Sequence, residues 1–228
     1  MPSSYLLIIV LMAASWLIQW RLRSKFKQYS QVGLSSGLSG AEIAAKMLAD
    51  HHIHDVRIIS TEGQLTDHYN PTDKTVNLSE GVYAERTAAA AAIAAHECGH
   101  AVQHATAYSM LQFRSAMVPA LSSVSKWMPF VLIAGVFMIN RSVIPLGVGI
   151  ALFSLTTLFS FITLPVEFDA SRRALAWMDN RGVVTTQEHA MAKDALWWAA
   201  MTYVVAALSS LATLLYYVGI FMGGSRRN

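Results

Sequence analysis

The stretch SVIPLGVGIALFSLTTLFSFITLPV, residues 142–166, runs for 25 residues without a charge, and Glu167 follows at once. A helix needs roughly 20 apolar residues to cross a bilayer, so this run reads as a transmembrane helix with a carboxylate at its end. Three other stretches extend the pattern. Met1 to Trp20 carries no charge and is followed by Arg21, Arg23, Lys25 and Lys27. A signal peptide sets its positive charges ahead of the apolar region and ends in a small-residue cleavage site. This stretch has neither and reads as a retained anchor. Leu121 to Ile139 spans if Lys126 snorkels its ammonium to the interface. Ala195 to Ser225 offers 31 uncharged residues. Asn140-Arg141-Ser142 makes a tight turn, so the second and third spans form a helical hairpin.

Composition agrees. Of 228 residues, 54% are hydrophobic and only 14% charged, against about a quarter charged in soluble domains. The mean hydropathy is +0.39. So few charges exclude a disordered chain, and the single cysteine, Cys98, excludes a disulfide scaffold. A net charge of +3 gives no reason to expect a nucleic-acid partner; the expected partner is the lipid bilayer. Four crossings put residues 21–117 and 167–194 on one side, with nine and four Lys/Arg respectively. The other side receives Arg141, Arg226 and Arg227. The positive-inside rule then places the larger polar part in the cytoplasm of a multi-pass cell (inner or plasma) membrane protein. The expected architecture is one domain over 1–228, mainly α. Its spans lie at 1–20, 121–139, 143–165 and 196–222, with a small α+β cytoplasmic part at 21–117 and a helix and loop at 166–194.

Within the polar part, Ser39 with Glu42 three residues on is a capping box, opening a helix over Ala41 to His51. Val56 to Ser60, Leu65 to Tyr69 and Thr75 to Leu78 carry β-branched residues. Asn70-Pro71-Thr72-Asp73 between the last two has the chemistry of a turn. A two- or three-stranded sheet is expected. From Glu85 the run of alanines predicts a long helix to about His104, and a return helix is expected to begin at Pro165.

That alanine helix carries His96-Glu97-Cys98-Gly99-His100. Residues four apart share a helical face, so His96 and His100 can turn ring nitrogens to one ion, while Glu97 sits at the edge of that face. Two imidazoles, a polarised water and a carboxylate to take its proton are what a zinc hydrolase needs. Gly99 leaves room for close packing, and Cys98 points away as a small packing residue. Zinc requires a third protein ligand. A histidine six residues after His100 would suit one class of such sites, but that position is Thr106. His104 lies one turn too far along and is assigned a supporting or surface role. His51, His52, His54, His68 and His189 are further candidates. Glu167 is preferred, because two crossings return it to the side of the histidines. Asp169 either accepts an N–H from a ligating histidine or pairs with Arg172 or Arg173. An oxyanion also needs a donor, for which His68, Arg172, His189 and Tyr203 are candidates. The strand around Leu65 to Tyr69 offers an edge on which an extended peptide could pair.

Four separated blocks occur in order: Asp67-His68-Tyr69-Asn70-Pro71, His96 through Gln103, Leu164 through Ser171, and Thr202-Tyr203-Val204. Together they resemble the bacterial YugP-type neutral zinc metallopeptidases, and more distantly the HtpX-like and CAAX prenyl protease group, over nearly the whole chain. The resemblance implies a gluzincin-like site with one Zn2+ per chain, His96, His100 and Glu167 as ligands and Glu97 as general base. Ser171 stands where the wider group carries Asp. The function expected is a membrane-embedded zinc endopeptidase acting on peptide or protein substrates, membrane proteins among them, at the cytoplasmic surface. Two alternatives are an intramembrane protease and a non-catalytic, metal-stabilised scaffold or assembly partner. Glu97 speaks against the scaffold, since a purely structural site needs no base beside its ligands.

Overall fold

The computed structural model describes residues 2–225; Arg226 and Arg227, counted in the charge balance above, lie outside the described residues. The chain forms two compact units, one of Met1–Leu17, Phe113–Leu164 and Thr202–Asn228, the other of Ile18–Gln112 and Pro165–Met201. Four helices are long and apolar enough to cross a membrane: α1 (Pro2–Tyr29), α5 (Ser109–Met138), α6 (Ile144–Asn180) and α7 (Thr186–Ser225). Among the described residues the motif helix α4 (Ala88–Ala105) is not one of them. The fold is thus mainly α with a small α+β part.

The first unit holds the apolar portions of these long helices. Large side chains face outward from it, Phe137 at 85% exposure and Ile144 at 72%, the inverse of a water-soluble surface. Close approach inside the unit rests on small residues: a methyl group on Gly135 would stand 2.5 Å from the Leu146 backbone. Thr157 and Ser210 share a hydrogen bond of 2.7 Å. α5 ends at Met138 and α6 starts at Ile144, so the tight turn at Asn140 to Ser142 is present. α5 begins at Ser109, well before the span expected from Leu121.

The second unit is built around α4. Fourteen of its 18 residues are buried, which a helix of alanines permits because no large side chain holds its neighbours off. The capping box of α2 (Gly40–Asp50) forms as expected, with Ser39 Oγ accepting from the Glu42 N–H and the Glu42 carboxylate accepting from the Ser39 N–H. Ile43, Ala44 and Met47 of α2 are fully buried in the core that also takes up Val76, Leu78 and the alanines of α4. Three strands, β1 (Arg57–Thr61), β2 (His68–Asn70) and β3 (Thr75–Ser79), form one sheet in the order β1-β3-β2. β1 runs parallel to β3, and β2 antiparallel, with Tyr69 opposite Val76. Asn70 Oδ1 accepts the Thr72 N–H at 2.9 Å, closing the turn read at Asn70 to Asp73.

Four expectations need correction. β2 starts at His68 rather than Leu65, because Leu65 adopts a left-handed φ of 59° and Asp67 turns its carboxylate to the Ser79 N–H at 2.7 Å. A short helix α3 (Glu80–Ala84) was not expected. α4 starts at Ala88, not Glu85, because Thr87 Oγ1 caps it by accepting the Ala90 N–H. α6 does not break at Pro165 but runs on to Asn180. Proline removes one helical N–H, a loss that helices of apolar spans tolerate when neighbours compensate; α5 likewise carries Pro119 and Pro129. The loop of the 166–194 region is therefore confined to the residues between Asn180 and Thr186, where Thr185 and Glu188 make a second reciprocal cap for α7.

Candidate metal centre

Gly99 decides how α4 meets α6. A methyl group there would stand 2.5 Å from the Ala170 carbonyl oxygen, so the two backbones touch and no larger residue fits. The contact brings Glu167, just under one turn before Ala170, against His96 and His100. Glu167 Oε2 lies 3.4 Å from His96 Nε2 and 3.6 Å from His100 Nε2. The three ligand atoms fall within 4.8 Å of one another, and the two imidazoles meet edge to face at 4.8 Å. Three donors tetrahedrally placed around an ion at about 2.1 Å would be about 3.4 Å apart, so this donor set fits zinc. The Glu167 side chain is 4% exposed and that of His96 13%, which leaves the centre most open beside His96.

The far nitrogens of both rings are held. Gln103 Nε2 donates to Val166 O at 2.8 Å and to Asp169 Oδ2 at 2.9 Å, so its amide oxygen is left to accept. That oxygen lies 3.0 Å from His100 Nδ1, which must then carry the proton and leave Nε2 as the free lone pair. His96 Nδ1 meets Ser171 Oγ at 3.1 Å, and the same tautomer results when it donates. Asp169 pairs with both Arg172 and Arg173 and so reaches His100 only through Gln103. Burial pulls the His100 imidazole toward its neutral form, but the hydrogen bond and charge of Glu167, with Glu97 behind it, raise its pKa above the ordinary value. A cation at this point would meet that negative field.

Glu97 is buried and does not join the three ligand atoms. Its Oε2 accepts the backbone N–H of Tyr69 at 2.9 Å, which ties it to β2. The Tyr69 hydroxyl is 2.7 Å from His104 Nδ1. Burial, with the Asp55 charge, pushes the phenol up to about 12, so it stays protonated and can donate to that ring. His104 thus meets the Tyr69 side chain and is not one of the three clustered ligand atoms.

The remaining candidates are not among the three clustered ligand atoms. His68 is exposed, its Nδ1 near Thr66 O. The Arg172 side chain is 77% exposed and turned to Asp169. His189 meets the Leu175 carbonyl, and Tyr203 lies on α7 within the other compact unit. His51 is held by the Met47 carbonyl of its own helix end. Cys98 is fully buried against Ala44 O, and burial pushes its thiol pKa up, as suits a packing residue. Sequence reading assigned no role to Gln103 or to the Tyr69 N–H. Gln103 stands at i+3 from His100, a spacing that could have marked it.

A family model described as "putative neutral zinc metallopeptidase" matches residues 4–222. The chain belongs to this family. A relative from Bacillus subtilis (strain 168), described as "putative membrane protease YugP", is 40% identical over 222 residues, covering 97% of this chain and 98% of that protein. No solved structure matches. Membership of the neutral zinc metallopeptidase family implies zinc, and the donor set of His96, His100 and Glu167 suits it. In this chain the residue beside His96 Nδ1 is Ser171.

Proposed function

We propose that the protein is a multi-pass membrane zinc endopeptidase that hydrolyses peptide bonds at the cytoplasmic membrane surface. The observation that carries the reading is the convergence of His96 Nε2, His100 Nε2 and Glu167 Oε2 beside a buried carboxylate, Glu97, that is not one of them. Zinc bound by the three would supply a Lewis acid that polarises a peptide carbonyl and acidifies a neighbouring water. Glu97 takes the proton from the attacking water and hands it to the leaving amine. The Tyr69 N–H holds the Glu97 carboxylate in one orientation while it does so. Gln103 keeps the His100 imidazole in the tautomer that offers Nε2, and Ser171 does so for His96 when its hydroxyl accepts. β2 is an edge strand of its sheet, and its main chain reaches Glu97, which supports an extended polypeptide lying along it. The excess of Lys/Arg in 21–117 and 167–194 supports the cytoplasmic side.

The test is the metal content of the full-length protein in detergent, together with cleavage of an unfolded protein substrate. Wild type is expected to carry one zinc per chain, Glu167→Ala to lose it, and Glu97→Gln to keep it while losing cleavage by a factor on the order of 10²–10⁴. Full zinc in Glu167→Ala would overturn the ligand set. Undiminished cleavage by Glu97→Gln would overturn the base.

A further inference from the structure

Behind the metal centre, α6 and α7 enclose a trough of about 660 Å3, within the size range of small-molecule sites. Ser171, whose hydroxyl meets His96, is one of its lining residues. Both helices line it in the same sequence of chemistry. Phe168 stands two residues beyond the uncharged run 142–166, and Trp197 lies three residues into the uncharged run beginning at Ala195. Their rings, both exposed, meet at 6.3 Å. One turn further along α6 comes Arg172, and one turn back along α7 comes Lys193, and both line the same trough. An aromatic layer next to an apolar run, then a cationic layer one turn on, is the order of a membrane interface, where aromatic rings sit at headgroup level and Lys/Arg meet phosphate.

The positive charge there is not cancelled. Arg172 and Arg173 share a single carboxylate, Asp169. Lys193 is exposed and makes no ion pair among the described residues. Asp194, also on the wall, is already engaged by Lys25 and by the Tyr29 hydroxyl. Asp179 lies two turns past Arg172, at the end away from the aromatic layer.

We propose that this trough binds an anionic glycerophospholipid, one acyl chain against Phe168, Trp197 and Ala200 and the phosphate between Arg172 and Lys193. The inference rests on the membrane-embedded part of the reading above. A zwitterionic lipid carries an ammonium group beside its phosphate and gains less from the two cations, so the site discriminates by headgroup charge.

Native mass spectrometry of the full-length protein released from detergent, offered equimolar phosphatidylglycerol and phosphatidylcholine, reads the preference directly. Wild type is expected to retain phosphatidylglycerol at least fivefold over phosphatidylcholine, with the preference falling as salt is raised. Lys193→Gln should bring the ratio to within twofold. Ala176→Phe, which fills the trough and leaves its charge alone, should remove the retained lipid. Equal retention of both lipids by wild type would overturn the proposal, as would a preference unchanged in both variants. Displacement of phosphatidylglycerol by millimolar inorganic phosphate would assign the cations to a free anion, and displacement by a peptide substrate would assign the trough to the cleavage site; either overturns it. No readout uses zinc or proteolysis, so failure here is distinct from failure of the peptidase reading.

Discussion

Two apolar helical runs in this chain look alike by hydropathy and end up in opposite surroundings. Ala88–Ala95 opens α4 and is buried on almost every side by protein. The first part of α6 has no charge either, yet Val148, Leu155 and Leu158 stand exposed. Side-chain size separates them. Alanine carries little apolar area and lets other backbones come close, so its run suits a helix enclosed by protein. Leucine, valine and phenylalanine carry area that lipid can cover, so their run suits a helix whose surroundings are hydrocarbon.

The sharpest way to break that contrast is to put bulk into the alanine run. Ala92 is fully buried, and Ala92→Leu is expected to cost about 3 kcal/mol by overpacking, read as a fall in the thermal unfolding midpoint in detergent. An unchanged midpoint would mean that α4 is not enclosed as described. Next comes Gln103→Leu, which keeps the volume but removes the amide relay. Partners of metal-bound histidines are worth about 10–100-fold in metal affinity, so zinc should be lost to a chelator at correspondingly lower concentration. Ser171→Ala should do the same to about tenfold; Ser171→Asp, which places a carboxylate beside His96, should keep the affinity. If both Ser171 variants match wild type, His96 needs no partner at Nδ1. Least affected should be Leu158→Ala on the outward face of α6, within about 0.5 kcal/mol. A large loss there would mean that protein rather than lipid covers Leu158.

Much of this was legible beforehand. The spans stood out because uncharged runs of that length have few other uses, and the cap at Ser39 and Glu42 is a purely local pattern. His96 and His100 were legible because helical spacing alone puts them on one face, with Glu97 at its edge. Glu167 was reached by a longer route, through topology and the ligand count, and it lies where that route led. Apart from the start of α4, set by the local cap at Thr87, the misses share one physical character: each depends on a partner distant in sequence. The short α3 follows a serine whose hydroxyl is turned to Asp67, and β2 loses its first residues to the same carboxylate. Continuity through Pro165 follows from surroundings that local rules for proline do not include. Gln103 acquires its role only when α6 supplies the Val166 carbonyl and Asp169.

The bond from the Tyr69 N–H to Glu97 has a consequence for how such a site varies over time. A main-chain donor is supplied by any residue except proline, so the grip on the Glu97 carboxylate is insensitive to what side chain stands at position 69. An alanine scan would pass over it, and sequence drift at that position would leave it intact. The Tyr69 side chain itself answers to a different partner, His104. The orientation of the Glu97 carboxylate is inherited with the path of the chain.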